Sequence, residues 1–384
     1  RGLGDVYKRQ ATITSGALTV TADNAKANGS ATNKVQAKIT DANGNVVPNI
    51  AVAFTANNSA TVTTASATTN AQGIATTSVT SLKAGISKVT ATINGHAQSV
   101  NVTFVSDDGT ATIASGALTV TVDNAKANGT ATNAVEAKVT DANGNVLSNV
   151  VVRFAATNGA SIAIASATTN SQGIASTTLT SIKAGISKVT ATINGHSQSV
   201  DTTFVPDSST ATIITGALTV TTDNAKANGT ATNAVQAKVT DANGNVLPNI
   251  AVSFTANNGA AIVTASSTTN AQGLASTTLT NTKAGISKVT ATVNGHSQSV
   301  NTTFVADSAT ATITRANLIV TSDYAKSDGH ATNAVQAKVT DANGNVVPNA
   351  AVSFTADNGA TVITASASSD AQGLATTTLT NLTA

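Results

Sequence analysis

Cysteine, methionine and tryptophan are absent from the 384 residues, tyrosine occurs twice, and Glu136 is the single glutamate. Without cysteine there is no disulfide framework, no thiolate metal site and no cysteine nucleophile. One glutamate rules out a paired-glutamate acid–base site, so any carboxylate pair would have to be built from turn aspartates. Charge of either sign is scarce: 20 Lys and Arg against 18 Asp and Glu leave a formal charge of +2. The lysines are dispersed, as at Lys26, Lys38, Lys83 and Lys88. Nucleic-acid binders concentrate basic charge on one face and interleave stacking aromatics, so no nucleic-acid partner is expected. No stretch approaches 18 consecutive apolar residues, and no membrane contact is expected of this segment. The first residues lack the apolar core of a signal peptide, so targeting information for export would lie outside these residues.

What the sequence does have is repetition. Ala11-Thr12-Ile13, Ala111-Thr112-Ile113, Ala211-Thr212-Ile213 and Ala311-Thr312-Ile313 open four copies of one unit, in register at a spacing of 100 residues. Asp41-Ala42-Asn43-Gly44-Asn45 recurs without change at 141, 241 and 341. A period this strict indicates an array of one supersecondary unit, and about 100 residues suffice for each copy to own a core. The seven phenylalanines fall at only two repeat positions, 54/154/254/354 and 104/204/304. Tyr7 and Tyr324 stand where the other copies have no aromatic. Two phenylalanines per copy are therefore the expected core anchors, and truncating a buried one typically costs about 3 to 5 kcal/mol.

Short runs rich in Val, Ile and Thr alternate in polarity and are punctuated by Gly, Asn and Asp about every 8 to 12 residues, with no helical period between them. In the first copy the pattern predicts strands over 18–21, 34–40, 50–56, 61–66, 74–80, 87–93 and 99–105. Val35, Ala37 and Ile39 should face inward, with Ile50, Val52, Phe54, Val89, Ala91, Ile93, Val100, Val102 and Phe104. Seven strands make an antiparallel sandwich of immunoglobulin (Ig) size, here without the disulfide common in animal surface domains. Asp41 to Asn45, Asn70 to Gly73 and Asn94-Gly95-His96 read as turns. Connectors such as 106–110 are very short, and Pro206 fixes φ in the second, which should bring neighbouring copies into contact. The expected architecture is all-β: tandem Ig-like antiparallel β-sandwich domains forming an elongated rod, each complete copy advancing about 40 Å. The expected domains are 11–110, 111–210, 211–310 and 311–384, with 1–10 a non-repeat segment, disordered or artefactual. The fourth copy stops before its last two strands, which suggests a fragment of a longer protein with an uncovered sheet edge.

Several motifs in fixed order carry a resemblance. Ala17-Leu18-Thr19-Val20 is followed by Asn24 to Gly29, then by Val35 to Thr40 running into Asp41 to Pro48, then by Val52-Ala53-Phe54. Later come Thr69 to Ala75, Ala84-Gly85 before Lys88 to Ala91, and Val102-Thr103-Phe104. This order resembles the bacterial immunoglobulin-like group 1 domain of the intimin and invasin adhesins, over residues 11 to 384. Ser148, where the other copies have proline, and Tyr324 and His330 are modest departures. The resemblance implies an extracellular, cell-surface stalk that is anchored to the bacterial outer membrane by a region outside the chain. Such a spacer would project an adhesive tip, also outside the chain, toward a host surface receptor or glycan. The alternative is that the repeats themselves bind a host protein or glycan.

Candidate chemistry is sparse. His96, His196 and His296 share one hairpin position and read as turn residues, and His330 stands alone. Asp41 to Asn45 is similar to the opening of an EF-hand, but Val46 and Val52 stand where that loop needs Gly and a bidentate Glu. The acidic connector Asp107-Asp108 is the one candidate for an inter-domain cation. No serine or threonine has a base and an orienting acid at triad spacing. No catalytic, cofactor or metal residues are expected, and the chain is expected to be a monomeric, non-enzymatic rod.

Overall fold

The computed structural model describes residue 8 and residues 10–384, so the reading of 1–10 as a non-repeat segment lies largely outside the described residues. By contacts the chain divides into two compact units, Arg1–Val205 and Pro206–Ala384. Each unit holds two modules.

The first module contains β1 (Leu18–Ala22), β2 (Ala25–Lys26), β3 (Asn33–Lys38), β4 (Ala51–Ala56), β5 (Thr61–Val62), β6 (Ser66–Thr68), β7 (Ile74–Thr80), β8 (Gly85–Ile93) and β9 (His96–Val105). They form two facing sheets, β1-β3-β7-β5 and β2-β9-β8-β4-β6. The same two sheets recur in the second and third modules, displaced by 100 and 200 residues. All-β tandem Ig-like sandwiches are therefore the architecture.

Alternation sets the core. Val35, Ala37, Ile39, Val52, Phe54, Val89, Ala91, Ile93, Val102 and Phe104 are buried together, with Ile50 and Val100 packed against them at the margin. The β8–β9 hairpin closes with Ile93 opposite His96, leaving Asn94 and Gly95 at φ of 50° and 81°, as a two-residue type I′ turn requires. Gly73 is fixed by space as well as by its φ of 72°: a Cβ there would lie 2.8 Å from the Ile39 carbonyl oxygen.

Two expectations need correction. The run 61–66 is not one strand: β5 pairs with β7 in the first sheet and β6 with β4 in the second. Between them the chain crosses the sandwich, with Thr63 N–H donating to Ser78 O and Phe54 N–H to Ala65 O. Residue alternation cannot register a change of sheet, because both halves keep period two. The second correction is β2, which the pattern missed. It is two residues long and runs parallel to β9, pairing Ala25 with Phe104 and Lys26 with Val105. Asn24 turns the chain into it at a φ of 62°.

A polar side chain joins the sheets inside each of the first three cores. Asn33 is fully buried; its Oδ1 accepts from Ala25 N–H at 2.9 Å and its Nδ2 donates to Thr103 O at 2.9 Å. A buried amide is tolerated only when its groups are paired, and here the partners are the edge backbone of β2 and the β9 carbonyl.

Candidate functional site at the module junctions

Within the first unit, the connector after β9 leads into a short 3-10 turn at Asp108–Thr110. Asp107 caps that turn, its side chain accepting from Gly109 N–H at 3.2 Å. The same carboxylate takes the Lys26 ammonium at 2.8 Å, and Asp108 takes it at 2.9 Å. Thr110 Oγ1 donates to Asp107 O and in turn accepts from Ala142 N–H at 3.1 Å. The last turn of module one is thereby tied to the loop Asp141 to Asn145 of module two.

That loop makes the junction. Asp141 Oδ1 accepts from the Asn143 and Asn145 backbone N–H groups, both at 2.9 Å, while Oδ2 accepts from Asn145 Nδ2 at 2.9 Å and from Asp107 N–H at 3.1 Å. Asn145 then reaches into module one with both ends of its amide: Nδ2 donates to Leu82 O at 3.0 Å and Oδ1 accepts from Ala84 N–H at 2.8 Å. Asn143 Nδ2 donates to Ala27 O at 3.0 Å, and Ser106 Oγ donates to Val146 O at 2.8 Å. Asn194, at the tip of module two's long hairpin, donates to Asp108 O at 3.1 Å. A connector with so many backbone groups held from the far side has little freedom to rotate.

The second unit repeats the arrangement between its own modules. Asn343 Nδ2 donates to Ala227 O at 2.9 Å, Asn345 Nδ2 to Thr282 O at 3.0 Å, and Asn345 Oδ1 accepts from Ala284 N–H at 2.7 Å. Asp307 N–H donates to Asp341 Oδ2 at 3.0 Å, and Lys226 pairs with Asp307 at 3.0 Å. Position 308 is serine, so the second carboxylate on the lysine is missing there.

The electrostatics follow from these contacts. The Lys26 ammonium beside Asp107, helped by Asn28 and the Gly109 N–H, holds the Asp107 carboxyl below the usual carboxylate range. The pairing raises Lys26 in return, Asp107 contributing most and Asp108 next. Burial opposes ionisation of Asp341, yet donors from the Asn345 side chain and the Asp307, Asn345 and Asn343 N–H groups leave it below its ordinary value. Lowered carboxyls stabilise the fold above their ordinary pKa, and that contribution is lost as pH falls through the lowered value. The raised lysine contributes below its ordinary value of 10.5 and loses its effect as pH rises through the raised one. Both contributions are intact across neutral pH.

The structure relocates the residues singled out from sequence. Asp41 to Asn45 is a turn, as expected, but in modules two and four the equivalent loop is also the contact to the preceding module. The signal was present: a turn needs its Asp and Gly, whereas the third and fifth asparagines recur unchanged in every copy. The acidic connector weighed as a cation holder has the Lys26 ammonium on Asp107 and Asp108. His96, His196 and His296 are exposed residues at the start of the last strand in each sandwich. Among the described residues no group of three His, Cys, Asp or Glu could hold a metal ion, and no helix is long and apolar enough to cross a membrane.

The family of the bacterial Ig-like domain (group 1) matches residues 15–105, 115–205, 215–305 and 315–384. The chain belongs to this family. Within each unit, then, the later group 1 Ig-like sandwich is joined to the earlier one through the loop between its third and fourth strands, and in the first unit the hairpin of module two's last two strands also reaches back to the connector. Among solved structures the chain is similar to invasin, described as a bacterial integrin-binding protein, with 23% identity over 97% of this chain and 74% of that one at a TM-score of 0.47. FdeC, an Escherichia coli adhesin, is 21% identical over 77% of this chain and 97% of that one, TM-score 0.49. InvD of Yersinia pseudotuberculosis is 17% identical over the same shares, also at 0.49. No curated protein matches in sequence.

Proposed function

We propose that residues 11–110, 111–210, 211–310 and 311–384 are successive domains of a spacer, the extracellular stalk of an intimin- or invasin-like adhesin. The stalk is anchored to the bacterial outer membrane by a region outside this chain and carries a receptor-binding tip, also outside it. The observation that carries this reading is the junction itself. The same asparagine and aspartate contacts tie module two to module one and module four to module three. Side chains spent on fixing one copy against the next serve a part whose task is to hold distance. The surface supports the same reading: Tyr324 is the one aromatic exposed among the described residues, and binding hot spots favour Trp, Tyr and Arg. The reading includes a monomeric, non-enzymatic rod.

Small-angle scattering on the chain tests this. A rod advancing about 40 Å per module gives a radius of gyration of about 45 Å, whereas a globule of this length has about 21 Å. The longer value is expected, with little change between low and physiological salt. A value near the globular one rejects the spacer.

A further inference from the structure

We propose that the Asn-Gly step of the junction loop is a site of spontaneous covalent modification, which docking of a preceding module protects against and whose product unlocks the junction. Asn43-Gly44, Asn143-Gly144 and Asn343-Gly344 occupy loops of near-identical backbone. In each the glycine N–H donates to the aspartate carbonyl at 3.1 Å, the glycine φ is 83° to 84°, and the asparagine N–H donates to the aspartate Oδ1 at 2.9 Å. Their side chains differ. All three residues are exposed, but the carboxamides of Asn143 and Asn343 are tethered to Ala27 O and Ala227 O of the preceding module, whereas that of Asn43 has no bonding partner among the described residues.

The reaction needs only the chain and water. The glycine amide nitrogen attacks Cγ of the asparagine; the new N–Cγ bond forms as Cγ–Nδ2 breaks, and Nδ2 departs as ammonia with the proton given up by the amide. Water then opens the resulting succinimide at either carbonyl, leaving aspartate or isoaspartate. Glycine favours the step because it lacks a Cβ to hinder the attack. A carboxamide held by its Nδ2 must first be released and turned, so the tether slows the reaction by the factor its hydrogen bond represents, about fivefold. At position 143 the product replaces a donor by a carboxylate facing the Ala27 carbonyl, two residues from the Asp141 carboxylate that its own N–H bonds. Two acceptors cannot bond, and like charges close together repel.

The test is a time course of the full chain in mildly alkaline buffer, with the loops read by peptide mass spectrometry. Each tryptic peptide is distinct, since the sequence after the loop differs between copies. Asn43 is expected to convert about fivefold faster than Asn143 and Asn343 in the folded chain, and all three at one rate in denaturant. Equal rates in the folded chain, or a faster Asn143, overturn the proposed protection. The chain carrying Asn143→Asp reads the second half of the proposal by hydrogen exchange. The amides of Ala84 and Asp107, which Asn145 and Asp141 hold across the junction, should exchange at least about fivefold faster than in the parent. Unchanged exchange there, with the modules still folded, overturns the unlocking.

Discussion

The third and fourth modules share one unit and nearly one sequence, yet their cores differ. Leu218 is 6% exposed and Ile213 1%, whereas Leu318 is 54% exposed and Ile313 39%. In module three a hairpin of Gly285–Val293 and His296–Val305 completes the second sheet. The sequence of module four ends at Ala384, and its second sheet consists of Ala351–Ser353 paired with Ser366–Ser368. The effect spreads beyond the missing neighbours. The strand Ala251–Ala256 is six residues long, its equivalent three, because residues 354 to 356 have no partner strand. Residues 225–226 form a strand against Phe304 and Val305, and 325–326 form none. Strand identity here is a property of pairs, and β-propensity alone does not hold the backbone extended.

Supplying the hairpin is the largest change this comparison allows. Appending the sequence of residues 285–305 after Ala384 should return Ile313 and Leu318 to the core, each worth about 2 kcal/mol. Hydrogen exchange of the strand Leu318–Ser322 would then slow to the level of Leu218–Thr222; if it stays fast, the difference lies in the substitutions of module four, such as Tyr324, and not in the hairpin. Next in size, Phe254→Ala should destabilise module three by about 3 to 5 kcal/mol. Phe354→Ala, at a half-buried position, should cost under about 2 kcal/mol. Exchange measured module by module separates the two, since an array of this kind has no single unfolding transition. The smallest effect concerns the buried asparagine. Asn233 bonds both Ala225 N–H and Thr303 O, so Asn233→Ala leaves two groups unpaired and should cost about 2 to 4 kcal/mol. Asn333 keeps only the Ala325 contact, is half-buried, and should lose about 1 kcal/mol or less on the same change. Equal losses at 233 and 333 would show that the second bond contributes nothing.

Much of this was legible in the chain. Period-two alternation identified the inward faces of the third, fourth, eighth and ninth strands, because each side chain's face is fixed by its place in the pleat. The turns at Asn70 and Asn94 were legible from chemistry, since Asn bonds local backbone and Gly accepts positive φ. The split at residues 63–65 and the parallel pair at 25–26 were not, because a change of sheet leaves the residue pattern untouched. The junction stood between the two. Its five-residue loop was visible as a repeated turn, but Asn143 and Asn145 bond to carbonyls and amides of the preceding copy that carry no sequence mark.

By itself, then, the sequence determined the unit, its period, its two phenylalanine anchors and its sandwich class, because apolar alternation and turn chemistry are local properties. Which sheet each short strand joins, where Asn33 finds its partners, and how one module grips the next were decided only in three dimensions. The strand choices rest on pairings that local pattern does not encode, and the asparagine contacts are side-chain to backbone hydrogen bonds between residues 61 to 116 apart, formed once the cores have placed the loops within reach.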